Sequence, residues 1–164
     1  MTWRITSHIA GLQRITDTST TQNHPLGTIV TAKDGTFGSG EFIYLKGIGS
    51  TVVGSIVNYD DSFTTALDTT AVSGPARPLA VAMSANVANQ YGWYQISGLA
   101  TVAKANSVSF AKGAGLGAGS GLAVAVATGS VINGATVAAV ASAKSDVTSV
   151  KVAINRPHDP SDVS

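Results

Sequence analysis

With 164 residues, a net charge of +1 and charged side chains at 12% of positions, the chain is sized for one domain, and its long-range field gives no support to nucleic-acid or anionic-membrane binding. An average soluble protein has about 25% charged residues; here either a coat of threonine, serine and asparagine keeps the surface wet, or part of it is buried against other subunits. Cysteine is absent, which excludes disulfides and thiolate metal sites and says nothing about redox compartment.

Residues 1–25 are expected to form an extended N-terminal arm. Residues 1–8 lack the apolar core of a signal peptide, and residues 16–23 are polar without an apolar period. Trp3, Ile5, Ile9, Leu12 and Ile15 are apolar anchors along the arm, for the parent domain or for a neighbour. Fully extended, residues 1–24 would reach on the order of 80 Å at about 3.3 Å per residue. The longest small-apolar run, residues 122–127, is far shorter than the roughly 20 residues that span a bilayer. A soluble protein made in a cytoplasm is expected.

The ordered domain is placed at residues 26–155. Residues 26–32 and 41–46 read as strands around a Lys33-Asp34-Gly35 turn suited to positive φ. Residues 50–59 read as one strand with a bulge at Gly54, and residues 63–70 as short strand or loop. Pro75 and Pro78 forbid a central strand nearby. Residues 79–97 carry the strongest hairpin signature. Small residues from Ala80 run into a polar turn, and Tyr91-Gly92-Trp93-Tyr94 comes out of it. After Gly98, strands are expected at 99–104, 122–128, 131–133, 136–143 and 147–154, with 107–112 short and extended and 113–121 a glycine-dense loop. Alanine makes 135–144 the best helix candidate, but the flanking turn residues favour a hairpin. Residues 156–164, with Pro157 and Pro160, read as an irregular tail. Strands about every 8–12 residues predict an all-β fold, a compact antiparallel β-barrel or β-sandwich.

So many small side chains predict a weak core. Burying a Val or Leu contributes roughly 1.5–3 kcal/mol and an Ala much less, while ordering each backbone residue costs about 1–2 kcal/mol regardless. Association with other subunits would supply the missing burial.

The search for chemistry finds no convergent set. Gly113-Ala114-Gly115-Leu116-Gly117-Ala118 matches G-x-G-x-x-A, but a strand rather than a helix follows, and no acid stands about 20 residues on. A flexible or tightly packed loop is the better reading, and no cofactor is expected. His8, His24 and His158 have no metal-ligand spacing, so no metal is expected. Glu41, the sole glutamate, opens an apolar strand, where a carboxylate caps or pairs. Asp60-Asp61 reads as a solvated turn. No nucleophile elbow or Ser-His-Asp set is present, so no enzyme is expected. Trp93 and Tyr94 are strand neighbours and face opposite sides, leaving open which one is out. Tyr91 and Trp93 share a face that suits a partner or a carbohydrate.

Residues 26–28, Gly40-Glu41-Phe42-Ile43-Tyr44-Leu45-Lys46-Gly47, Gly54-Ser55-Ile56-Val57, Leu79-Ala80-Val81-Ala82, Gln90-Tyr91-Gly92-Trp93-Tyr94-Gln95-Ile96-Ser97-Gly98 and Val150-Lys151-Val152-Ala153-Ile154 together resemble small structural proteins of tailed bacteriophages, in particular capsid decoration (cement) proteins. The resemblance implies a β-rich, commonly trimeric virion protein on the outer capsid surface, synthesised in a host cytoplasm, whose partners are the major capsid protein and further copies of itself. Neither nucleic acid nor membrane is an implied partner. Binding only the assembled shell would stabilise that shell by linkage. The candidate contacts are Trp3, Arg4, Ile5 and Ile9 in the arm and Tyr91 and Trp93 in the hairpin. The long arm and dense glycine loop depart from the pattern and leave an alternative, a head- or tail-fibre module that binds a receptor or glycan through exposed aromatic rings.

Overall fold

The computed structural model describes residues 2–7, 11–69, 76–126 and 131–160. Every regular element among them is a strand: β1 (Arg4–Ile5), β2 (Ile29–Asp34), β3 (Gly38–Lys46), β4 (Ile56–Tyr59), β5 (Thr65–Leu67), β6 (Leu79–Ala82), β7 (Tyr91–Ala103), β8 (Gly117–Gly119), β9 (Leu122–Val124), β10 (Asn133–Val137) and β11 (Ser149–His158). The chain is all-β, dominated by one antiparallel sheet in the order β1-β2-β3-β7-β6-β4-β5, with β11 also on β7 and β10 on β11. Strands β8 and β9 form a separate hairpin. An isolated parallel bridge, Lys46–Thr64, links the β5 end to β3, and no ladder among the described residues closes the sheet into a barrel.

Strand β7 organises the molecule. Its first half pairs with β3 on one side and β6 on the other, whereas residues 97–103 pair with β11. The change of partner falls at Gly98, whose φ of +102° no ordinary side chain adopts comfortably. A Cβ there would also overlap the Ser39 carbonyl. Just before it the β3–β7 register slips from Glu41↔Ser97 to Phe42↔Gln95, leaving Ile96 as the extra residue of a bulge.

Alternation along these strands feeds three cores. Ile43, Leu45, Val57, Ala80, Ala82, Tyr94 and Ile96 pack together on one face of the sheet. Phe42, Tyr44 and Trp93 point the other way, beneath the N-terminal segment. Leu79, Val81, Ala100, Val102, Val150, Val152 and Ile154 make the third core with Phe110 and Leu116.

Four local expectations are corrected. Residues 50–59 are not one strand: Gly54, at φ +85°, turns the chain between β6 and β7, where its N–H donates to the Ala82 carbonyl at 2.8 Å. Only Ile56–Tyr59 remains extended in a ladder. In the β2–β3 turn the left-handed residue is Gly38, not Gly35, because the Asp34 carboxylate accepts from Thr36 and Phe37 N–H and fixes the preceding bend. The glycine-dense loop contains β8, and its end is packed: a Cβ on Gly121 would lie 2.8 Å from Leu67 Cδ2. The C-terminal segment stays in strand β11 through His158, past both Arg156 and Pro157, because Asn133 pairs with His158 beyond a bulge.

Candidate functional site

The N-terminal segment lies on its own sheet. Strand β1 pairs with β2, and the edge of the Trp3 ring meets Phe42 at 4.9 Å between centroids. Residues 11–26 then cross the face made by β3 and β7. Ile15 is buried there, and Ser19 exchanges two backbone hydrogen bonds with Tyr91.

Gln13 is the hub of this attachment. Its carbonyl accepts the Trp93 indole N–H at 3.0 Å, and its backbone N–H donates to His24 Nε2 at 3.1 Å. Its side-chain oxygen accepts from the Tyr44 hydroxyl at 3.0 Å and from Asn23 at 2.9 Å. Its amide nitrogen donates to the carbonyls of Asp17 and Tyr91. Buried Tyr and Trp side chains need partners for their polar ends, and this polar stretch provides them. The His24 ring packs edge-on to Tyr44 at 5.0 Å and tilted against Trp93 at 5.4 Å. Burial lowers the pKa of His24, favouring the neutral ring that can accept from Gln13. Burial likewise raises that of Tyr44.

The candidate contacts therefore fall in different places. Arg4 is exposed, Trp3, Ile5 and Tyr91 are half-buried in the core beneath the arm, and Ile9 lies outside the described residues. Neither Trp93 nor Tyr94 faces out. Trp93 is enclosed by the arm and Tyr94 by the opposite core, each at 0% exposure. Trp93 is thus no outer contact while the arm is seated, and the Tyr91/Trp93 face is covered by the chain itself.

Open apolar surface occurs elsewhere. A hollow of about 510 Å³ is lined by Phe110, Ala111, Ala114, Gly115, Val126 and Val131 among others, with no charged side chain among the described residues that line it. Val126 and Val131 are 40% and 39% exposed. A Cβ on Gly115 would lie 3.1 Å from Val131 Cγ1, so glycine keeps this wall open. Val140, 77% exposed, adjoins Ala141, which bridges to Phe110. Alternating small and large residues at 122–126 gave no sign that the larger ones face solvent.

A second feature went unmarked in the sequence. Asp68 and Asp159, far apart in the chain, are both buried beside Arg77. Arg77 Nη2 lies 3.1 Å from Asp159 Oδ2 and 3.7 Å from Asp68 Oδ1, which also accepts from Asn58 at 3.0 Å. Among the described residues Asp68 Oδ2 and Asp159 Oδ1 find no donor, and the two carboxyls are close enough for a proton on one to bond the other. Burial, then the charge of Asp68, raises the pKa of Asp159. The carboxylate pair visible in the sequence, Asp60-Asp61, does turn work instead: Asp60 accepts from Ser62 and Thr64 N–H at 2.9 Å.

Comparison of the chain with family models, with curated proteins and with solved structures finds no match.

Proposed function

We propose that this chain is a structural virion protein that binds the outside of a phage capsid and stabilises contacts between major capsid subunits. The observation that carries the reading is the charge-free apolar hollow around Phe110, Val126 and Val131 on a protein with so few charged residues. Apolar surface gathered in one concavity is the kind that protein contacts cover. The tailed-phage resemblance of the Tyr91-Gly92-Trp93 hairpin supplies the kind of partner, and a homotrimer is the proposed assembly. The arm serves here as a seal on its own sheet, and Arg4 is its exposed candidate contact.

The test is the copy number of the chain in purified heads of the virus that encodes it. A ratio to the major capsid protein near one is expected, and a few copies per particle would refute the cement role. Val126→Asp with Val131→Asp should abolish occupancy, and since the two valines are only 40% and 39% exposed, monomer stability is measured beside it. Deleting the arm is a poor probe, since it also removes Gln13 and Ile15 from the core.

A further inference from the structure

We infer that the hollow between Tyr59, Arg156 and His158 is a binding site for a neutral saccharide of about one ring. Its volume is about 350 Å³, at the small end of the roughly 300–1,000 Å³ of small-molecule sites. Ala76 and Pro78 offer exposed apolar wall beside the Tyr59 ring, over a floor of buried Leu79, Ile96 and Pro157.

Three departures from regular strand geometry converge on it. Ile96 is the extra residue of the β7 bulge. In β11, residues 155–157 stand opposite Gly134 alone, since Ile154 pairs with Ala135 and His158 with Asn133. Arg156, inside that second bulge, has a φ of +45°, the left-handed region that a long side chain rarely occupies. Bulges re-aim side chains beside functional sites, and left-handed non-glycine residues concentrate there. Here they place Arg156 over a hollow whose buried floor includes Ile96.

The polar groups select the ligand class. Arg156 Nη2 holds Glu41 Oε2 at 3.0 Å, so its charge is already met, and its other guanidinium N–H groups remain as donors. Glu41 sets an acceptor beside them. Among the described residues the Tyr59 hydroxyl and the His158 ring hold no hydrogen bond, and each can donate or accept. A phosphate or carboxylate would meet the Glu41 charge. A sugar ring, uncharged and bearing hydroxyls that both donate and accept, fits this set, with its C–H face on Tyr59 and Pro78. The inference stands apart from capsid binding, because it concerns the isolated chain.

The experiment is a ¹H–¹⁵N titration of the intact protein with the methyl glycosides of glucose, galactose, mannose and N-acetylglucosamine, each to about 50 mM, enough to saturate a site with a millimolar Kd. Sodium acetate and sodium phosphate serve as charged controls. The expected result is saturable shifts at residues 59, 96, 156 and 158 with at least one glycoside and none with the anions. Arg156→Gly relieves the left-handed strain and keeps the fold, and should weaken binding at least about tenfold, as loss of hydrogen bonds to a charged group does. Tyr59→Phe, which keeps the ring, should weaken it several-fold. Absence of saturable shifts with all four glycosides, saturation by the anions instead, or unchanged affinity in Arg156→Gly would each overturn the proposal. Capsid occupancy is measured separately and fails or succeeds on its own.

Discussion

Replacing Gln13 with alanine removes the side-chain half of the hub that seals the arm. Four hydrogen bonds are lost, to Tyr44, Asn23, Asp17 and Tyr91. Asn23 and Asp17 are exposed, so water replaces Gln13 there at little cost. The bonds to the Tyr44 hydroxyl and the Tyr91 carbonyl count for about 0.5–1.5 kcal/mol each. Tyr44 is fully buried; its oxygen still accepts from the Asn23 N–H at 3.4 Å, but an O–H left without an acceptor adds about 1–3 kcal/mol. The predicted loss is about 2–6 kcal/mol, with backbone bonds from Gln13 to Trp93 and His24 still available. Urea unfolding followed by tryptophan fluorescence reads it directly, because the two tryptophans of the chain report on this contact, Trp3 from within the arm and Trp93 from beneath it. Because the stranded hydroxyl dominates, Gln13→Ala should be milder by about 1–2 kcal/mol in a Tyr44→Phe background. A loss below about 0.5 kcal/mol, or simple additivity with Tyr44→Phe, would refute the hub.

Three further outcomes are expected. His24 has a folded pKa below its ordinary 6.5, so its contribution is complete above that pH, falls as the unfolded chain takes up the proton on acidification, and levels once the folded ring protonates. Urea midpoints between neutral and mildly acid pH should fall in the parent and fall less in His24→Phe; equal slopes would exclude the neutral-ring contact. Asp159 behaves oppositely. With its pKa raised above 3.8, its contribution is complete below that value and is lost as pH rises through the folded pKa. Asp159→Asn leaves Arg77 balanced by Asp68 and lets an amide N–H reach Asp68 Oδ2, so it should stabilise by about 1 kcal/mol at neutral pH and less in acid; destabilisation at neutral pH in thermal unfolding would count against the shared-proton geometry. Gly92→Ala should cost about 1–3 kcal/mol by overpacking, since its Cβ overlaps the Asn86 amide, which is buried between Gly47 and Gly92. A neutral result in the same urea assay would mean that Asn86 moves freely.

The all-β class and the β6–β7 hairpin were legible because alternation and turn residues act locally. Val81↔Gln95 and Ala82↔Tyr94 pair as that pattern implies. What escaped the sequence was decided by distant partners. Residues 13–24 look like solvated loop until the polar ends of Tyr44 and Trp93 are seen to need them. The Asp68–Arg77–Asp159 cluster joins residues up to 91 positions apart, counting from 68 to 159, and no spacing rule marks it. Gly54 signalled a bulge, but whether a glycine bulges a strand or ends it depends on the backbone it approaches, here Ala82 and Ala103. The hollow at Tyr59 arises from two register slips, and register belongs to a pair of strands rather than to either sequence alone.

The arm leaves the ribosome before β7, and the bond that seals it joins Gln13 to Trp93, 80 residues later. Until β7 is made, the Phe42/Tyr44 face is bare and the arm has nowhere to dock. A face waiting that long can equally accept the arm of a second chain, and arm exchange about the Pro25–Gly27 turn would then make a swapped dimer with unchanged contacts. Refolding at high protein concentration, followed by size-exclusion chromatography, should give a kinetically trapped dimer absent from dilute refolding. If only monomer forms at every concentration, the arm closes on its own sheet faster than chains meet, and the order of synthesis leaves no trace in the folded product.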